Sequence, residues 1–128
     1  MSNGSVDLDW VTVRAGCSTE CVFQQLREQV SSDVEIRKTV GATYRFSFDK
    51  RDTNCFSVMA TNPATQHSEE VTFTLRGSHI VVIARDKEIK ASSTINNEGE
   101  CMLKIDGSEY TLWQVRKMAL EKLFFEVV

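Results

Sequence analysis

The sequence predicts an α+β domain: an N-terminal strand and helical segment, then a six-stranded antiparallel meander, then a C-terminal helix packed on the curved sheet. Three observations predict it. Val22, Phe23, Leu26 and Val30 recur at helical spacing. From Tyr44 to Ile105 the apolar period drops to two, with short polar turns between the runs. After Thr111 the helical period returns. A chain of 128 residues has the size of one domain with one core. Residues 1–128 are therefore read as a single unit, with residues 1–6 frayed.

The elements follow in order. Residues 8–15, LDWVTVRA, alternate and carry Trp10, Val11 and Val13, which reads as a strand. Gly16 breaks it. Ser18 or Thr19 is placed to cap a helix, with Glu20 in the first turn, where the helix dipole favours an anion. Gln24, Gln25, Arg27 and Glu28 fill the face opposite the apolar stripe. Two readings are open beyond it. Val34, Arg37 and Val40 extend a helical stripe, whereas Val34 and Ile36 suit the start of a strand. Helix to about residue 39 is favoured, with a break near Ser31-Ser32, and Gly41 ends it.

Tyr44, Phe46 and Phe48 then alternate with Arg45, Ser47 and Asp49. A turn over Lys50 to Asn54 leads to Phe56, Val58 and Ala60, and a loop over 61–69 surrounds Pro63. Val71, Phe73 and Leu75 follow, then the turn Arg76-Gly77-Ser78. Ile80 to Ala84 is apolar on both faces, as a central strand is. Asp86-Lys87 turns into Ile89, Ala91, Ser93 and Ile95, and Asn96 to Gly99 turns into Cys101, Leu103 and Ile105. Asp106-Gly107 closes the last strand. Thr111 and Gln114 have capping-box spacing. Leu112, Val115, Ala119 and Leu123 mark a helix face, which Trp113, Met118, Leu120 and Phe124 widen beyond what one sheet can cover.

Composition narrows the function classes. Apolar residues make up 41% and charged residues 26%, ordinary for a globular protein. A net charge of -3 argues against nucleic acid as a partner. The basic pairs Lys50-Arg51 and Arg116-Lys117 read as solvated positions. The N-terminus has no basic region followed by an apolar run, and no window reaches the ~18 apolar residues of a spanning helix. A soluble, cytoplasmic protein with no membrane partner is expected. Cys17, Cys21, Cys55 and Cys101 are then expected as free thiols. Cys101 alternates with Leu103 and Ile105 and reads as a small core residue. Cys17 and Cys21 sit four apart, but a metal site needs further ligands, so structural cysteines are the preferred reading.

No chemistry-bearing motif stands out. There is no P-loop, nucleophile elbow, dinucleotide-binding glycine pattern or His-Glu-x-x-His. His67 and His79 lie in unlike places, and Asp7/Asp9, Asp33/Glu35 and Glu69/Glu70 read as surface carboxylates. Tyr44, Arg45, Asp49 and Arg85 are merely polar residues on strands. No catalytic residue, metal or cofactor is assigned, and the reading leans away from an enzyme.

The stretch from Trp10 to Phe23 resembles the opening of START-like (SRPBCC, helix-grip) domains. Those domains open on an alternating strand, a small-residue turn, Ser/Pro-x-Glu, and Val followed by Trp or Phe. Ser18, Glu20, Val22 and Phe23 occupy those places here. Element order agrees over most of the chain. The chain is short for the family, and it lacks the glycine-rich loop that some branches carry between the first strands of the meander. The resemblance implies a sheet wrapped around the C-terminal helix, with a hydrophobic small molecule between them. Phe46, Phe48, Phe56, Val58 and Phe73 would line that site from the strands, and Trp113 and Met118 from the helix.

Two other functions compete. The same aromatics also suit a solid core, since interiors are close-packed by default. The chain would then be a protein-interaction or homodimerisation module, with Leu120 and Phe124 at the interface. A cyclase, lyase or hydrolase using the same pocket is the third reading. Because a helix on a sheet buries one broad stripe, Trp113 or Phe124 is expected at a cavity or a subunit interface.

Overall fold

The computed structural model describes residues 9–41, 43–85 and 87–126. Helices α1 (Trp10–Gly16) and α2 (Thr19–Thr39) precede strands β1 (Arg45–Asp52), β2 (Cys55–Thr61), β3 (Ser68–Arg76) and β4 (His79–Ala84). Strands β5 (Lys87–Ile95), β6 (Cys101–Ile105) and β7 (Ser108–Tyr110) and helix α3 (Leu112–Phe125) follow. The strands form one sheet in sequence order, each antiparallel to the next. Helices α2 and α3 lie on the same face of the sheet and touch each other.

Helix α2 follows the predicted chemistry. The Ser18 side chain accepts from the Cys21 N–H, and Glu20 sits in the first turn. Val22, Phe23, Leu26, Val30 and Val34 are all buried. Residues 31–39 are helix, with Val40 at the C-cap, and Ser31-Ser32 does not interrupt it. Gly41 follows the end at φ +72, the left-handed position that favours glycine after a helix. Thr19 Oγ1 donates to the Ser78 carbonyl at 3.2 Å and lies 3.0 Å from Ser93 Oγ, which fixes this end of the helix to the sheet. Helix α3 begins with the expected capping box of Thr111 and Gln114.

The core lies between the sheet and the two helices. Phe56 stacks on Phe73 with ring centroids 4.6 Å apart, and Phe23 and Phe48 lean on Phe56 at 5.2 and 5.5 Å. Strand β4 is central, and Ile80, Val81 and Val82 are buried in succession, as its two-sided apolar sequence predicts.

Four expectations are corrected. The predicted N-terminal strand is helix α1; Leu8 lies outside the described residues. None of its residues is buried. Over seven residues with no buried position, no core contact arbitrates between the two periods. Among the described residues the meander has seven strands, not six. Asp106-Gly107 does not close the sheet. Its backbone has φ of 52 and 84, and a two-residue hairpin turn pairs Ile105 with Ser108. The third correction concerns the thiols. Cys17 and Cys101 form a disulfide, while Cys21 and Cys55 are free. Fourth, Cys101 is an exposed residue at the start of β6 rather than part of the core.

Candidate functional site

The candidate site is the furrow where α2 and α3 run beside each other, on the side facing away from the sheet. It has a volume of about 390 Å³. Its position follows from helical spacing. The buried face of α3 carries Val115, Ala119 and Leu123. Leu120 and Phe124 are buried as well, at 2% and 8% exposure, and form part of the furrow's lining. Trp113 and Phe125 continue that lining and stay 61% and 67% exposed. From α2 come Ile36 and, at its C-cap, Val40, which are 58% and 57% exposed.

Two arginines bind the walls together. Arg37 donates from Nε to the Phe124 carbonyl at 3.0 Å, near the end of α3, where free carbonyls and the helix dipole favour a cation. Its guanidinium carbon lies 4.9 Å from the Phe46 ring centroid and 4.7 Å from that of Phe125. Arg116 reaches back from α3 and bonds Gln29. Its Nε lies 2.9 Å from Asp33 Oδ2, an ion pair in which the N–H is out of line for a hydrogen bond. Burial pushes the Asp33 carboxyl above its usual range, and the neighbouring Arg116 guanidinium only partly offsets this. Lys117 and Glu121, one turn apart on α3, are 3.7 Å from each other on the outer rim.

The structure separates the residues expected to line one pocket. Phe56, Val58 and Phe73 have no exposed surface, and Phe46 is buried with its ring edge-on to Phe124 at 5.3 Å. Phe48 is half-buried and packs on the same core. Met118 is half-buried and lines clefts beside Lys87 that are distinct from the furrow. Trp113 lines the furrow. Leu120 and Phe124, the expected interface residues, join Trp113 there.

Sequence reasoning missed Ile36, Val40, Arg37, Asp33, Arg116 and Phe125. The sequence pattern places Arg116 in solvent and Asp33 at the surface, yet their side chains are 20% and 24% exposed and face each other. The one signal available was the excess of apolar positions on α3 over what a sheet can bury. Elsewhere polar residues on and beside the strands pair with one another. Arg85 pairs with Glu69, which His67 also contacts, and Arg51 meets Asp49 and Glu70. No group of three metal-ligating side chains occurs among the described residues.

A scan of protein-family models and searches of curated proteins and of solved structures find no match to this chain, so the furrow's own geometry has to carry its functional reading.

Proposed function

We propose that this domain is a protein-interaction module that seats an apolar protein surface in the α2–α3 furrow. One observation carries the reading: Ile36, Val40, Trp113 and Phe125 gather around one furrow and each is more than half exposed. Clustered apolar side chains of this kind mark interaction sites on protein surfaces. A small molecule in so open a furrow would keep much of its own surface in water, whereas a protein surface would cover the rims. The packed interior between sheet and helices supports the same reading.

The test is binding of an anilinonaphthalene dye, followed together with Trp113 emission in a Trp10→Phe variant. The double substitution Ile36→Ser/Phe125→Ser should abolish the dye signal. Because both side chains are mainly exposed, it should change stability by only about 0.5 kcal/mol. Dye binding that ignores this double substitution overturns the reading.

A hydrophobic small molecule is the second reading, favoured by the furrow's volume of about 390 Å³, which lies in the range of ligand pockets. A saturable rise in melting temperature with one member of a lipophilic panel supports it. START-like kinship is proposed with it, on the antiparallel meander followed by a C-terminal helix. No helix among the described residues is long and apolar enough to cross a membrane. A lasting Cys17–Cys101 bridge suits an oxidising compartment, so a cytoplasmic location would go with the open form of the bridge.

A further inference from the structure

We propose that the protein surface seated in the furrow is a second copy of this chain, bound with the two α3 helices antiparallel across a two-fold axis. The proposal rests on the interaction-module reading and names its partner. A two-fold interface uses the same patch twice, so the patch must complement itself. The outer stripe of α3 meets that condition in shape and charge. Trp113, Lys117, Glu121 and Phe125 follow one another at intervals of four on one side of the helix. An axis passing level with the midpoint between Lys117 and Glu121 brings Lys117 of each copy opposite Glu121 of the other. The same axis brings Trp113 of each copy opposite Phe125 of the other.

Each copy offers both what protrudes and what receives. Trp113 and Phe125 stand 61% and 67% exposed, and the furrow beside them is floored by Leu120 and Phe124. Lys117 and Glu121 have side chains 54% and 51% exposed, so both charges remain available to a partner. The 3.7 Å contact within one chain leaves each with capacity for a second opposite charge. Asp33 and Arg116 are already joined within the chain and need no partner from the other copy.

The arrangement is tested by charge reversal and sedimentation velocity over a dilution series. Wild type should pass from dimer to monomer on dilution. Lys117→Glu places two carboxylates opposite each other twice per interface, and Glu121→Lys does the same with two ammonium groups. Each should weaken self-association roughly tenfold. An equimolar mixture of the two variants should recover dimers, because each then meets the opposite charge, and the double variant K117E/E121K should dimerise as wild type does. Circular dichroism of each variant confirms that the helices are intact.

Three outcomes overturn the proposal. They are wild type sedimenting as a monomer at every concentration, single reversals dimerising as well as wild type, and the mixture staying monomeric. The first of these, found together with furrow-dependent dye binding, removes the second copy and leaves the interaction reading standing. Dye binding that ignores the furrow substitutions removes that reading too.

Discussion

Leu26 shows how much of the core is legible one residue at a time. Its position in the stripe with Val22, Phe23 and Val30 predicts burial, and all four are at most 2% exposed. Leu26→Ala should cost about 2–5 kcal/mol in urea unfolding, the range for deleting a buried leucine. A loss under about 0.5 kcal/mol would mean the site is not packed as described. Asp33 illustrates what a single sequence hides. Its neighbour Arg116 comes from the other end of the chain, so neither residue's pattern announces the pair. The net effect on Asp33 is a pKa raised by burial over the opposing pull of Arg116. A carboxyl with a folded pKa above its unfolded value holds more proton folded than unfolded between the two values. Its contribution to stability therefore falls as pH rises through that window and is recovered as pH drops below it. Asp33→Asn removes that slope. Relative to wild type, the variant should be at its best at neutral pH and lose ground as the pH is lowered into the carboxylate range. Urea midpoints for both proteins across that range check it, and the opposite trend would show that Arg116 rather than burial governs Asp33.

At the scale of elements, signals that specify their own geometry were readable. The capping pairs at Ser18 and Thr111 and the stop at Gly41 depend only on neighbours in sequence. The alternating runs of β1 to β3, β5 and β6 were readable because each has one face on the core, and β4 because it is apolar on both. Helix α1 was not, since nothing buries either of its faces and its apolar positions suit both periods. Strand β7 was overlooked although Asp-Gly is the strongest short hairpin signal, because only three residues follow before the capping box of α3. That turn is directly testable. A Cβ at Gly107 would meet no atom within 4 Å, so the cost of Gly107→Ala comes from its φ of +84 alone. The substitution should destabilise by about 1–2 kcal/mol in thermal unfolding, the usual cost of a left-handed conformation without glycine. An unchanged melting temperature would mean that the hairpin to β7 contributes nothing to the folded state.

For the whole molecule, the furrow and the disulfide share one reason for being hard to read: each joins distant parts of the chain. The excess apolar surface of α3 was visible in sequence, but its second wall arises only where α2 lies alongside. The bridge from Cys17 to Cys101 spans a separation of 84 residues, and cysteine positions alone do not choose among pairings. That separation sets the expected effect of reduction. Closing a loop of such length restricts the unfolded chain by about 4–5 kcal/mol in the chain-entropy account. Reduction also has a local compensation. The buried Cys17 sulfur lies 3.3 Å from the Thr94 carbonyl oxygen, and only a thiol has a proton to donate to it. The net loss should therefore fall toward the lower part of the roughly 2–5 kcal/mol measured for native bridges. It should be equal for reduced wild type and for Cys101→Ser, which keeps the Cys17 thiol, and larger for Cys17→Ser, which replaces that buried sulfur. Guanidinium unfolding of the oxidised, reduced and substituted proteins measures all of this. Equal midpoints for oxidised and reduced protein, with four free thiols by mass spectrometry of the native sample, would restore the expectation of reduced cysteines. The bridge also ties the segment linking α1 and α2 to β6, and α1 itself has no buried residue to hold it. Hydrogen exchange should therefore show α1 losing protection on reduction before α2 or the sheet does.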